Sequence, residues 1–330
     1  MAQGGSFPRT GASTTYHDIQ LEKDLGGRMV LHGTPEDIRG QYDQLVAVLL
    51  PQLPPPSDAV ESKDGEVDGV KYRLYTPKEA SKQGALPVGV LTHGGGWMTG
   101  DLNSDDLLCR VVAEHVPSII VSVDYRLSPE HKVPAQLEDS LKIYRWAHQN
   151  ASSFGGDPNK FYTIGDSAGG ALALQVANQL VKEPSQRDAI KGIAALVPCT
   201  LHWDHVPAEY QAMYTSYEDN KENVPIIDKG SMKTFYEHAG ADPEDADTFV
   251  ALATENHKNF PPTYFVSCEK DPLRDDALVM EEALKKAGVP TKHDHYKGLP
   301  HIFWIFPAIP EGQQFVENLI AGVKWLISQM

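Results

Sequence analysis

A serine becomes a useful nucleophile only when a base takes its proton and an acid holds that base in the right tautomer. One stretch offers such a serine: Gly165-Asp166-Ser167-Ala168-Gly169-Gly170 fits the pattern G-x-S-x-G. A serine raised on a sharp strand-to-helix turn needs small residues two before and two after it, and Gly165 and Gly169 supply them. Further along stand an acid, Asp271 in Cys268-Glu269-Lys270-Asp271-Pro272-Leu273, and a late histidine, His301 in Gly298-Leu299-Pro300-His301. Upstream lies a glycine run, His93-Gly94-Gly95-Gly96-Trp97. With no Cβ in the way, its N–H groups can point at a developing negative charge. These residue types together could carry acyl transfer: attack by Ser167, proton transfer by His301, and orientation of the imidazole by Asp271. His93 itself reads as structural, fixing the glycine loop.

Such residues work only if strands and helices bring them together. Val70–Tyr75 alternates as a half-buried strand, while Leu86–Thr92 and Ser118–Asp124 are apolar runs suited to buried parallel strands. Phe161–Ile164, Ile190–Val197, Thr263–Ser267 and Thr291–Tyr296 read as further strands. Helices are expected at Pro134–His148, Ala168–Val181, Ala277–Ala287 and Gln314–Ser328. This alternation predicts an α/β fold: a mostly parallel central sheet with helices on both faces. The glycine run, Ser167, Asp271 and His301 each follow a strand, where open α/β sheets place their sites.

Two segments stand outside that rhythm. Residues 1–65 are polar, with an amphipathic helix near Glu36–Leu50 and a break at Pro51-Gln52-Leu53-Pro54-Pro55-Pro56. Residues 200–246 are aromatic and acidic and lack a clear strand, which suits a lid over the sheet. The expected organisation is an N-terminal cap segment at 1–65, a catalytic core at 66–199 and 247–330, and a cap insertion at 200–246. Pocket candidates are Trp97, Ile302 and Phe303 beside the catalytic motifs, Asp166 beside Ser167, and Met213 and Tyr214 among the aromatics of the insertion. Packing within a small cap core is the rival reading for Trp203, Tyr210, Tyr214, Tyr217, Phe235 and Tyr236.

The 330 residues are 41% hydrophobic and 22% charged, as in soluble globular proteins, with a net charge of −16. That balance argues against nucleic acid, whose binding needs clustered Lys and Arg. No apolar run nears the length of a membrane span. Met1–Thr15 is polar, so no secretory signal is expected and a cytoplasmic location follows. The three cysteines, Cys109, Cys199 and Cys268, lack the number and spacing of a disulfide framework or zinc site. Asn150-Ala151-Ser152 is a glycosylation sequon that matters only in a secreted chain.

Other constellations carry less. His202-Trp203-Asp204-His205 resembles a fragment of a metal site but lacks converging ligands. His293 and His295 share one face of a strand and read as a solvated surface pair. No phosphate loop or dinucleotide fingerprint is present, so no metal or organic cofactor is expected.

The motifs together resemble those of the hormone-sensitive-lipase-like esterases of the α/β-hydrolase superfamily. The marks run in order: His93–Trp97, Tyr125-Arg126-Leu127-Ser128-Pro129-Glu130, Gly165–Gly170, Asp271-Pro272-Leu273-Arg274-Asp275 and His301. The resemblance covers about residues 66–330, and it implies a helical cap. It also implies Ser167 as nucleophile, Asp271 as acid, His301 as base, and Gly95, Gly96 and Ala168 as backbone oxyanion donors. Two positions depart from the family's habit: Ser128 where Ala is common, and Ile302-Phe303 where Gly-Phe is common. The implied activity is a serine carboxylesterase acting on small to medium uncharged esters through an acyl-enzyme. Two alternatives remain: a catalytically dead small-molecule receptor, like the plant gibberellin receptors that lost the histidine, or an acyltransferase or amidase using the same triad. The presence of His301 argues against the receptor. A small-molecule ester is the expected partner, and the oligomeric state is open, a homodimer included.

Overall fold

The computed structural model describes residues 27–330. The Met1–Thr15 stretch and the front of the 1–65 segment lie outside the described residues. Eight strands form one sheet: β1 (Val60–Val67), β2 (Val70–Pro77), β3 (Leu86–Thr92), β4 (Ile119–Asp124), β5 (Gly156–Asp166), β6 (Gly192–Leu196), β7 (Thr263–Lys270) and β8 (Thr291–Pro300). Their spatial order is β1-β2-β4-β3-β5-β6-β7-β8. β1 and β2 are antiparallel, as are β2 and β4. From β4 to β8 every pairing is parallel. The central strands bury both faces, which explains their unbroken apolar runs.

The longer helices are α1 (Pro35–Leu49), α2 (Asp106–His115), α3 (Ala135–Asn150), α4 (Ala168–Lys182), α5 (Lys229–Ala239), α6 (Arg274–Lys286) and α7 (Glu311–Ser328). α1 starts where the sequence favours a start: Thr34 and Asp37 form a capping box, and Pro35 occupies the first turn. α4 is buried on nearly every side, in keeping with its Ala- and Leu-rich composition, and its few polar residues, Gln175, Asn178, Gln179 and Lys182, fall on one face.

β1 falls inside the 1–65 segment expected to be cap. Its register with β2, Val60 opposite Pro77 through Val67 opposite Val70, makes it part of the sheet. The cap-like part of that segment therefore ends before Val60. The N-terminal stretch and the 200–246 segment meet through a parallel bridge between Val30 and Ile226. Leu31 N–H donates to the Ile226 carbonyl at 3.0 Å, and Ile226 N–H to that of Met29 at 2.7 Å. His32 Nε2 lies 3.2 Å from Asp228 Oδ2, and the Asp228 side chain also caps α5. All three cysteines are free and buried.

Candidate active site

The nucleophile turn is tight. Ser167 has φ 53° and ψ −122°, a conformation L-residues rarely adopt and one typical of strain held at a working site. The turn closes because α4 presses onto β3: a Cβ on Gly169 would stand 1.9 Å from the Thr92 carbonyl oxygen. One on Gly165 would stand 2.4 Å from the Gly169 carbonyl oxygen. The steric reading of G-x-S-x-G is thus visible atom by atom. Ser167 N–H donates to the Leu196 carbonyl at 2.8 Å, which fixes the turn against β6.

Asp271 and His301 arrive from the ends of β7 and β8. His301 Nδ1 lies 2.7 Å from Asp271 Oδ2, and His301 Nε2 lies 2.9 Å from Ser167 Oγ. Asp271 accepts only, so Nδ1–H donates to it and Nε2 is left to accept from the serine hydroxyl. Asp271 is fully buried and His301 nearly so. The second oxygen of Asp271 accepts from Leu273 N–H at 2.8 Å, and Asn220 Nδ2 donates to the Asp271 carbonyl at 3.0 Å. The carboxylate is thereby held against the imidazole.

Gly95, Gly96 and Ala168 flank this array. Among the described residues no acceptor takes their backbone N–H groups. The glycine loop is pinned from several sides. Tyr125 hydroxyl donates to the His93 carbonyl at 2.7 Å. Ser128 N–H and Oγ both donate to the Trp97 carbonyl, at 2.8 Å and 3.0 Å. Arg39 of α1 donates to the Met98 and Ser128 carbonyls and forks onto Glu130. The Tyr125–Glu130 motif therefore acts as a brace for the loop. His93 is fully buried against Tyr125, with ring centroids 4.1 Å apart, and burial holds its pKa down at about 4. It is neutral and structural.

A cavity of about 610 Å³ opens over Ser167 and His301. Trp97, Asp166 and Ile302 line it, in line with expectation. Three expected pocket residues do not. Met213 is exposed on the surface and absent from the cavity wall. Tyr214 turns its hydroxyl to Asp276 Oδ2 at 2.8 Å, anchoring the insertion to α6. Phe303 is buried between Tyr296, Trp304 and Phe315 because Ile302 takes a left-handed φ of 47° and turns the chain there. Of the insertion aromatics, Phe235 and Tyr236 reach the cavity. Trp203 instead stacks on Tyr236, while Tyr217 lies tilted against Trp203 and shares a 3.3 Å hydroxyl contact with Tyr236, all within the insertion. Both rival readings of these aromatics therefore hold, divided among residues.

Sequence reasoning missed the other wall. Apolar residues of α1 (Leu45, Val46, Leu49), α2 (Leu107, Leu108) and α7 (Leu319) line it. The amphipathic pattern of α1 and α7 was the available signal, but a pattern does not reveal which apolar residues remain uncovered.

The structure also holds a look-alike array. Ser267 Oγ lies 2.7 Å from His293 Nε2, and His293 Nδ1 lies 2.9 Å from Glu281 Oε2. Ser267 is fully buried and outside the cavity, so this Ser–His–Glu set has no route to a substrate. His293 is thus a bonded internal residue rather than part of a solvated surface pair. His202 stacks on Trp203 and accepts from Asp204 N–H at 3.1 Å. Among the described residues no group of three or more His, Cys, Asp or Glu is arranged to hold a metal, and no helix is long and apolar enough to cross a membrane.

The sheet order, the strained serine turn and the three-residue relay define a serine hydrolase, and the chain belongs to the α/β-hydrolase family. The model described as "alpha/beta hydrolase fold" matches residues 90–305. Within that family it groups with the hormone-sensitive-lipase-like esterases and is a carboxylic ester hydrolase. The chain is 60% identical over 312 residues to a protein named "Versiconal hemiacetal acetate esterase" from Dothistroma septosporum, with 94% of each chain covered. It is 34% identical over 285 residues to "Carboxylesterase NlhH" of Mycobacterium tuberculosis, with 84% of each covered. Among solved structures it matches "Vibralactone Cyclase" with a TM-score of 0.88 and 30% identity, over 99% of both chains.

Proposed function

We propose that the enzyme hydrolyses short-acyl esters, acetates foremost, of uncharged alcohols through an acyl-enzyme on Ser167. The observation that carries this reading is the continuous relay Ser167–His301–Asp271, with contacts of 2.9 Å and 2.7 Å. Ser167 Oγ attacks the ester carbonyl while His301 Nε2 takes its proton. The oxyanion is met by the N–H groups of Gly95, Gly96 and Ala168; one such donor lowers a barrier by about 3 kcal/mol. His301 then protonates the leaving alkoxide, and the alcohol departs. Water, deprotonated by His301, attacks the acyl-enzyme and releases the acid. Asp271 keeps the imidazole in the required tautomer and stabilises its cation.

The size and charge of the substrate rest on the cavity and on the relatives. A mostly apolar cavity of about 610 Å³ suits an uncharged molecule of moderate size. The name of the 60% identical relative supports an acetate of a bulky hemiacetal or aromatic alcohol. Three free buried cysteines fit a reducing cytoplasm, and the only partner this reading needs is the small-molecule ester.

A panel of p-nitrophenyl esters of rising acyl length tests the reading. Turnover should peak at the short end, and Ser167→Ala should lose turnover at least about a thousandfold together with fluorophosphonate labelling. Inert short esters beside reactive long triglycerides would overturn the size assignment, and an unlabelled native serine would favour a binding protein. Acyl transfer within one molecule is the second reading, favoured by the likeness to a cyclase over the whole chain. Product ratios with and without an acceptor alcohol separate the two.

A further inference from the structure

Beside the nucleophile turn, two carboxyls meet. Asp166 ends β5 and precedes Ser167; Asp105 immediately precedes α2. Gly94 N–H donates to Asp105 Oδ2 at 3.3 Å. The Asp166 carboxyl also closes on this glycine, where a Cβ on Gly94 would be 2.9 Å from Asp166 Oδ2. The two carboxyls are within hydrogen-bonding reach of one another. Asp166 is buried, and its Oδ1 has no hydrogen-bond partner.

Ionised carboxylates only accept, so two of them in contact repel, and a buried oxygen is left unpaired. A single proton removes both problems at once. We propose that Asp105 and Asp166 share one proton, and that this bond positions the oxyanion loop by clamping Gly94 against the nucleophile turn. The inference rests on the reading of Ser167 and its loop given above. One carboxyl donates to the other, and the remaining carboxylate oxygen accepts from Gly94 N–H. Loss of the proton leaves two facing anions, and the loop that carries Gly95 and Gly96 moves off its station.

The surroundings favour retaining that proton. From α1, Tyr42 faces the pair with its hydroxyl bonded to Ser104 Oγ at 2.9 Å. From the loop before α2 comes Asp101, whose charge adds to the negative field. Tyr125 beyond β4 and Cys109 of α2 face the pair as neutral groups whose pKa values burial pushes up. His93 is neutral, and His301 stands beyond Ser167. Arg39 also lines the cavity, but Glu130 takes its guanidinium. Burial and mutual repulsion hold the pair's protonation above the ordinary carboxylate range.

Asparagine can replace a protonated carboxyl as donor but cannot titrate. Asp105→Asn and Asp166→Asn should each abolish the alkaline limb of kcat/KM expected of the wild type. Asp105→Ala, which removes the bond, should lower kcat about tenfold or more with KM nearly unchanged. Infrared spectroscopy reads the proton without the reaction: the native enzyme at neutral pH should show a protonated-carboxyl stretch that each Asn variant lacks. Asp276, another buried carboxyl with a pKa pushed up to about 8, requires Asp276→Asn as the control that keeps this band. If an Asn variant does not fold, the native band should still titrate out at the midpoint of the alkaline limb. A native enzyme without the band, Asn variants with the wild-type limb, or midpoints that differ would overturn the proposal. Failure of the Ser167 reading would show separately, as absence of a fluorophosphonate adduct.

Discussion

The indole N–H of Trp97 donates to the backbone carbonyl of Ala168 at 3.2 Å. Trp97 follows the glycine loop, and Ala168 follows Ser167, so this one bond ties the loop to the serine turn. Trp97 has a φ of 58°, a conformation that a bulky residue accepts only when its surroundings enforce it. Trp97→Phe keeps most of the ring and removes the donor. It should cost about 1–2 kcal/mol of stability and lower kcat several-fold, with KM little changed. Urea unfolding and steady-state kinetics on a short ester check both parts; unchanged kcat would mean the bond serves packing alone.

Asp271→Asn addresses the tautomer. An amide at that position can donate to Nδ1, which then carries no proton, and Nε2 becomes the wrong kind of group for Ser167. The expected loss in kcat is on the order of ten thousandfold at neutral pH, with the fold intact by circular dichroism. A loss of tenfold or less would remove Asp271 from the relay.

Gly96 has a φ of 61°, and a Cβ there would stand 2.4 Å from the Phe235 ring. Gly96→Ala should therefore push the loop and α5 apart and lower kcat on the order of a hundredfold through a misplaced donor. Adding Phe235→Ala frees that space and should return part of the loss. No recovery in the double variant would place the damage in the backbone rather than in the contact with α5.

His93 links the site to acid stability. Its ordinary pKa of 6.5 falls to about 4 in the folded state because burial disfavours the cation. Between those two values the unfolded chain binds the proton and the folded chain does not. Stability is thus fully present above pH 6.5, falls as pH drops towards 4, and levels off below. The contribution is about 3 kcal/mol at most. Denaturant unfolding of His93→Asn across this range should show a shallower pH slope than the wild type. Equal slopes would assign acid sensitivity elsewhere.

The parallel strands were legible because burial on both faces makes each a continuous apolar run. β1 was not: its sequence, Val-Glu-Ser-Lys-Asp-Gly-Glu-Val, is that of an edge strand largely open to water, and it reads as loop. The short helix α2 also went unread, although it supplies cavity wall and places Asp105. At the site, a motif, a strand end and an order single out Ser167, Asp271 and His301, and their side chains do lie within hydrogen-bonding distance in the fold. The pocket is less legible, because nearness in sequence does not give nearness in space. Phe303 sits two residues from His301 yet turns into the core, while Phe235, far along the chain, lies against Gly96. Side-chain direction after a left-handed residue such as Ile302 is a tertiary outcome that no local pattern contains.

The bridge between Val30 and Ile226 joins segments almost two hundred residues apart into one covering above Ser167. A change that loosens residues around Val30 would reach α5 and Phe235 in the cavity wall through that seam. In this architecture the cover is stitched between two segments distant in sequence, while the relay beneath it is set at the carboxyl ends of the strands.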